Sequence, residues 1–400
     1  MEVNDSALQF TDQLLKDDQK LRDANLEVNS LAEQIRNGYS IKNAHINSRY
    51  LKVRDFLFSI AKSRIRVEDK FSLYNSIWLD EYSASYSTPE IIGRYRAGRV
   101  SSRNIVDFGA GACMQAIMFS ENNDVTAIEE DPLRANLGRL NAKAYSCKGL
   151  KIITGDVTAY ISNTADANIT VFADPLRLSG KGEKTFETLK PNPQRIVQDL
   201  GSKVSGYVID LPPLFPEKNI SLPGEREYIS LNGRINRFSL YSADLSKTER
   251  SAVILPVSRR IEGTRDMLEY EHSEKPRRFL VVPDPALTYA ELVNTVFDPS
   301  IYSEFTKDNR RLVLTADRIT QDTVLGEIFE VLGSSAEGDT RRELEKLKPG
   351  RVIPRFSMNP DDYYEYARSL IDPLWVGESI YLFRSNDRVV LAKKIKTSLN

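Results

Sequence analysis

The chain has 400 residues, 41% of them hydrophobic, with 55 Lys and Arg against 56 Asp and Glu and a net charge of −1. That length asks for two or three domains, since a single core rarely grows beyond about 250–300 residues, and a balance so close to zero excludes a global field for polyanions, leaving only local basic patches. Two cysteines and two histidines exclude a disulfide framework and argue against zinc chemistry or a histidine triad, so no metal is expected.

The N-terminus, MEVNDSALQFTDQLLKDDQK, is acidic and amphipathic rather than signal-like. No run approaches the roughly 18 apolar residues of a membrane span, so the expected location is cytoplasmic. Residues 1–85 read as a helical N-terminal region, with apolar positions three or four apart such as Leu51, Val53, Phe56, Leu57 and Ile60. YSTPEIIGRYRAGR then predicts a helix start, with Ser87 or Thr88 as cap, Pro89 in the first position and Glu90 closing a capping box. From 104 to about 260 short β-rich runs (NIVDF, DVTAIE, LKIITGD, NITVFADP, GYVIDLPP, SAVILPV) alternate with helical stretches, predicting a parallel sheet covered on both faces. Asn232-Gly233 suits a two-residue hairpin turn inside 226–245. HSEKPRR (272–278) reads as a linker, and the remainder as a second α+β unit. The expected organisation is a helical region at 1–85, an α/β domain at 86–270 and an α+β domain at 277–400.

The most informative stretch is NIVDFGAGACMQAIMFSENNDVTAIEEDP, 104–132. A strand enters the turn Gly109-Ala110-Gly111, a helix follows, and the next strand stops on Glu129, Glu130 and Asp131. A glycine turn lets the backbone approach a ligand where a Cβ would clash, although a plain strand-to-helix turn has the same letters. Asp107, two residues earlier, would repel a pyrophosphate. The third position of a G-x-G-x-x-G fingerprint falls on Cys113 or Met114, which breaks the dinucleotide pattern. A ligand with a positive amino group, such as S-adenosylmethionine, instead suits that acid. Glu129, with Glu130 beside it, ends the second strand where a carboxylate takes ribose hydroxyls. Asp156, followed by Val157, ends the third; it can accept from an adenine amino group or simply cap a helix.

Asp174-Pro175 ends the fourth run. Enzymes that methylate a base or amine nitrogen often carry Asp/Asn-Pro-Pro-aromatic here, the acid orienting the lone pair and able to take the released proton; the bland alternative is a helix cap. This chain reads DPLR, so Leu176 replaces the stacking aromatic and Arg177 adds a fixed charge suited to phosphate or carboxylate. DLPPLF (210–215) is closer to the motif by letters but lies too far along the chain, and reads as a loop beside the pocket.

Taken with LKPNPQ after FADPLR, SLPGEREYISLNGRINRFSLYSADL with RSAVILP, VVPDPAL and VIPRFSMNPDD, these residues resemble class I S-adenosylmethionine-dependent methyltransferases with a C-terminal THUMP-like domain, found in bacteria and archaea. The resemblance spans roughly 70–395. It implies a Rossmann-like α/β core, S-adenosylmethionine as cofactor, and a last domain similar to an RNA-binding module of tRNA-modifying enzymes. The family's cofactor positions carry over onto Asp107, Gly109, Gly111, Glu129 and Asp156, and its catalytic position onto Asp174-Pro175. Many relatives have DPxRR, from which this chain departs at Leu178. Lys275, Arg277, Arg278, Arg310, Arg311, Arg341, Arg342, Arg351 and Arg355, with Tyr363, Tyr364 and Tyr366, are the RNA contacts to expect, although such tyrosines also serve as core. The leading expectation is a base-nitrogen methyltransferase acting on structured RNA, tRNA foremost. The alternatives are a small-molecule or protein methyltransferase and a non-catalytic RNA-binding protein on a relic fold.

Overall fold

The computed structural model describes residues 2–100, 104–177, 183–242, 244–265, 269–307, 311–320 and 325–395. Leu178 and Arg310 lie outside them. Two compact units emerge: residues 1–225 with 238–247, and residues 226–237 with 248–400.

The first unit opens with helices α1 (Glu2–Lys16), α2 (Asp18–Arg36), α3 (Arg54–Arg66), α4 (Glu81–Tyr86) and α5 (Glu90–Arg99). The expected helical spacing is realised in part: Leu57 and Ile60 on α3 are buried, as are Val28 and Leu31 on α2, whereas Leu51 is exposed in a 3-10 turn ahead of α3. The helices are no separate body. They share one hydrophobic cluster with Ile105, Ala127, Leu140, Phe172 and Val208 of the α/β part. The start of α5 departs from expectation. Pro89 is itself the cap residue and no side chain caps the helix. The Glu90 carboxylate instead accepts from the backbone N–H of Ser72 at 2.7 Å and from the Tyr145 hydroxyl at 2.9 Å. A tertiary partner has taken the acid that a local box would use.

β1 (Asn104–Phe108), α6 (Met114–Phe119), β2 (Asp124–Glu129), α7 (Pro132–Ala144), β3 (Leu150–Thr154), α8 (Val157–Asn163) and β4 (Ile169–Ala173) follow. After a short ribbon of β5 (Leu176–Arg177) and β6 (Leu189–Lys190) come α9 (Pro193–Leu200) and β7 (Val204–Leu211). β8 (Glu225–Leu231) and β9 (Arg234–Tyr241) form the expected hairpin, with Asn232 and Gly233 both at positive φ in its turn. Within the first unit the strand order is β9-β7-β4-β1-β2-β3, parallel except for β9. Every residue of β4 is buried, as a strand covered on both faces requires. The chain winds outward in opposite directions from β1 and β4, so the switch point at which open α/β sheets bind ligands lies between these two strands. Asn141 ties the helical region to this frame: its side chain donates to the Trp78 and Ala112 carbonyls and accepts from the Trp78 N–H.

In the second unit β10 (Arg250–Leu255) pairs in parallel with β8 and antiparallel with β11 (Arg259–Gly263). β12 (Phe279–Pro283), α10 (Pro285–Ala290), β13 (Ser303–Lys307), β14 (Leu312–Ala316), β15 (Gly326–Ala336), α11 (Thr340–Leu347), β16 (Pro349–Pro354), α12 (Tyr363–Ser369), β17 (Gly377–Ser385) and β18 (Arg388–Lys394) complete it. Their seven strands form one sheet of order β13-β14-β12-β15-β18-β17-β16. Successive residues Leu382 and Phe383 belong to different hydrophobic clusters, the two-residue period of a sheet buried on both faces. The expected linker is corrected: the Ser273 N–H donates to the Glu304 carbonyl and the Glu304 N–H to the Glu271 carbonyl, so this polar segment is paired with β13. Its residues are polar because they are exposed, not because they are unstructured.

Candidate active site

The carboxyl ends of β1, β2, β3 and β4 carry the acids singled out in the sequence. Asp107 is the penultimate residue of β1 and only 2% exposed. Burial holds its carboxyl well above the ordinary range; the Asp174, Glu129 and Asp210 carboxylates add to the rise, and the Arg96 guanidinium opposes it. Asp107, Glu129 and Asp174 thus share one electrostatic neighbourhood.

The glycine turn follows at once. Gly109 and Gly111 both have positive φ, +84° and +55°, a region that penalises any Cβ. Both the Gly109 and Ala110 N–H groups donate to the Ile128 carbonyl, at 2.9 and 3.0 Å. The Gly111 N–H donates to Glu129 Oε2 at 2.7 Å, while Glu129 Oε1 accepts from Asp131 at 3.0 Å. All three turn amides are therefore spent internally, which leaves no cradle of free N–H groups for a phosphate. Glu129 is pushed up by burial, against the pull of those two backbone donors. Each of its oxygens retains acceptor capacity.

Asp156 is exposed and caps α8, accepting from the Ala159 N–H at 3.0 Å. Asp156 therefore does serve as a helix cap, and one of its oxygens is occupied. Val157 opens that helix and is half-buried. Glu130 is exposed and salt-bridged to Lys190 at 3.0 Å. Asp174 is exposed beyond β4, and no helix begins there, so its expected alternative role as a helix cap is absent. Pro175 is half-buried, and Leu176 and Arg177 are exposed on the ribbon, paired with Lys190 and Leu189.

Residues missed from sequence complete the site. The ribbon brings Pro191 back over the turn: a Cβ on Gly109 would meet the Pro191 Cδ at 3.1 Å. Lys190 beside it is raised by Glu130, with Asp156 and Glu129 contributing, so it stands among the acids. Asp210 lies not in a loop but in β7, 3% exposed, where both its oxygens accept from Arg96 Nη2 at 2.9 Å and Oδ1 also accepts from the Ser239 hydroxyl at 2.6 Å. Asp210 is thus a buried structural anchor, while Pro212, Pro213 and Leu214 of the near-motif do form a turn beyond β7, with Leu214 exposed. LKPNP after the fourth strand was the available signal for the ribbon; nothing local in α5 announced that Arg96 is buried.

The donor set suits S-adenosylmethionine: carboxylates in front of a glycine turn complement an ammonium and ribose hydroxyls, and spent turn amides do not serve a pyrophosphate. Among the described residues no group of three or more His, Cys, Asp or Glu is placed to hold a metal, and no helix is long and apolar enough to cross a membrane.

No family model matches the chain, and no curated protein does. Among solved structures, a crystal structure from Porphyromonas gingivalis W83 named as a putative methyltransferase aligns over 94% of this chain and 97% of its own, with a TM-score of 0.71 at 15% identity. The chain shares that fold, a mixed α/β fold built on a parallel sheet. The METTL16 methyltransferase domain (16% identity, 50% of this chain and 82% of that one, TM-score 0.32) is a far more partial likeness. So is an RNA methyltransferase of Pyrococcus horikoshii, likewise named as putative (15%, 31% and 61%, TM-score 0.24), and neither carries weight here.

Proposed function

We propose that this chain is an S-adenosylmethionine-dependent methyltransferase that modifies a base nitrogen in structured RNA, tRNA foremost. The observation that carries the reading is the buried Asp107 in front of a glycine turn whose amides are all internally bonded. Such a turn welcomes a cation and offers nothing to a phosphate. Asp107 and Glu129 would hold the amino and ribose ends of the cofactor, with Gly109, Ala110 and Gly111 giving close backbone approach. Asp156 and Val157 would flank the adenine, and Glu130 would keep Lys190 at the rim. The cofactor, when bound, supplies an electrophilic methyl group. Asp174 and the Pro175 carbonyl would hold the acceptor amine's hydrogens and aim its lone pair, Asp174 would receive the released proton, and Arg177 would meet a backbone phosphate. THUMP-like character of the last unit supports an RNA substrate through the sequence resemblance alone. Arg277, Arg311, Arg341 and Arg355 there donate to protein groups and Arg278 pairs with Glu330, which leaves Lys275, Arg342 and Arg351 as the exposed contacts among those expected in the described residues.

Calorimetry should find micromolar S-adenosylmethionine binding. Asp174→Ala should lose about a hundredfold or more of transfer while binding cofactor normally; full transfer by this variant would remove the role assigned to Asp174. One observation favours a small-molecule acceptor: the exposed residue after Asp174-Pro175 is Leu176, which cannot stack on a base. Nucleoside mass spectrometry of tRNA and rRNA from a deletion strain separates the two, an unchanged profile pointing to the small molecule.

A further inference from the structure

An acceptor base needs a flat surface beside Asp174, and the motif does not provide one. The aromatic side chains around the carboxyl edge are engaged elsewhere: Phe186 and Phe215 pack on each other and are 3% and 4% exposed, Phe108 and Phe172 are buried, and the half-buried Tyr160 packs edge-on against Phe108 and donates its hydroxyl to Asp166. Exposed aromatic residues do occur on α4. Tyr82 and Tyr86 are 37% and 64% exposed, with ring centroids 4.6 Å apart and planes at 38°. They are one helical turn apart, so their rings meet on the same face.

This pair is anchored to the carboxyl edge of the sheet. Asp131, whose N–H donates to Glu129, caps α7 and accepts from the Arg134 N–H. The Arg134 guanidinium lies 4.7 Å above the Tyr82 ring and donates to Asp80, the residue that caps α4. The tyrosine pair is thereby tied through two hydrogen-bonded acids to the ribose-side carboxylate of the proposed site. The Tyr82 hydroxyl, raised chiefly by burial and pulled down by Arg134, also feels the Asp174 carboxylate. The exposed ring of Tyr86 stacks against Tyr82, and so is held by the same Arg134–Asp80 contacts that join α4 to the start of α7.

We propose that Tyr82 and Tyr86 form the stacking platform for the acceptor nucleobase, taking the place of the aromatic residue missing after Asp174-Pro175. This deepens the methyltransferase reading and rests on it. Tyr86 offers its ring to the base, and Tyr82, clamped between Tyr86 and Arg134, stiffens the platform. A base held this way is recognised by its flat face, so the acceptor class is a nucleobase unstacked from its helix.

The test uses the full chain and a single-stranded oligoribonucleotide carrying 2-aminopurine, with and without S-adenosylhomocysteine. Wild-type protein should quench the probe, Tyr86→Phe should quench equally, and Tyr86→Ala and Tyr86→Leu should not. With small RNA from the deletion strain as methyl acceptor, Tyr86→Ala should raise KM between about five- and a hundredfold, with kcat within threefold and cofactor affinity unchanged. Thermal melting confirms that the variants fold; should Tyr86→Ala not fold, Tyr86→Leu carries the comparison. If Tyr86→Ala behaves as wild type, or if wild type leaves the probe unquenched in both conditions, the platform is refuted. Failure of cofactor binding by wild type would instead sink the underlying methyltransferase reading, and the quenching result without cofactor still decides the platform.

Discussion

A carboxylate that is 2% exposed and surrounded by three other acids, as Asp107 is, works against the fold that holds it. Its carboxyl is raised in the folded protein, so the folded state keeps that proton more tightly than the unfolded chain does. The stabilisation is complete below the ordinary aspartate range and is lost as pH rises toward the folded value. Glu129 is raised as well and follows the same sign. The acids at this edge therefore cost stability at neutral pH, a cost that a bound ammonium would offset. Asp107→Asn should accordingly raise the melting temperature of the ligand-free protein at pH 8 and flatten its decline between pH 5 and 8. The same variant should weaken S-adenosylmethionine binding by about tenfold or more, since charge-assisted hydrogen bonds contribute roughly 1.5–3 kcal/mol. Melting curves across pH and calorimetry check both halves. An unchanged melting temperature together with unchanged affinity would mean that Asp107 faces no cation.

Between elements, a buried ion pair ties α5 to β7 beside the site. Arg96 and Asp210 have side-chain exposures of 0% and 2% and meet at 2.9 Å, with Ser239 of β9 and Gln115 of α6 closing the network. Removing one member of a buried pair strands the other charge, at a cost of about 3–5 kcal/mol. Asp210→Ala should therefore lose that much stability in urea denaturation. Arg96→Met combined with Asp210→Leu should lose distinctly less, because no lone charge remains. Equal losses in the single and double variants would show that the pair contributes packing rather than charge compensation. The exposed bridge between Lys190 and Glu130 is different: each side chain is 58% exposed. Water screens that pair, and its use is to hold the ribbon near the glycine turn rather than to stabilise the fold.

For the whole molecule, a net charge of −1 sets the terms on which RNA can be met. There is no global attraction, and with Arg277, Arg311 and Arg355 already bonded within the protein, the contacts expected of the last unit reduce to Lys275, Arg342 and Arg351. RNA affinity should fall with salt on a shallow log–log slope, no steeper than about −3. Filter binding between 50 and 300 mM salt reads this directly. A slope near that of a strongly basic binder would mean that a continuous positive surface meets the RNA. Shallow dependence fits a protein that recognises an exposed base by stacking and hydrogen bonds more than by charge.

The sequence by itself determined the order of the core: the strand runs from 104 to 211, the glycine turn, the acids ending each strand, and the Asn232-Gly233 hairpin. These are local matters, since apolar runs, positive-φ positions and strand-ending carboxylates are written within a few residues of where they act. Tertiary structure alone decided how distant groups share hydrogen bonds and burial. Glu90 turned to Ser72 instead of closing a capping box, His272 and its neighbours bonded to Glu304 of β13, and Asp210 became the partner of a buried Arg96. The same holds for Pro191 over Gly109 and for the tyrosines of α4, anchored by Arg134 from α7. An arginine or a tyrosine on a short helix carries no local mark of its partner. Its partner is chosen by which elements the folded core brings together, and the cost of leaving a buried polar group unpaired selects among the contacts then available.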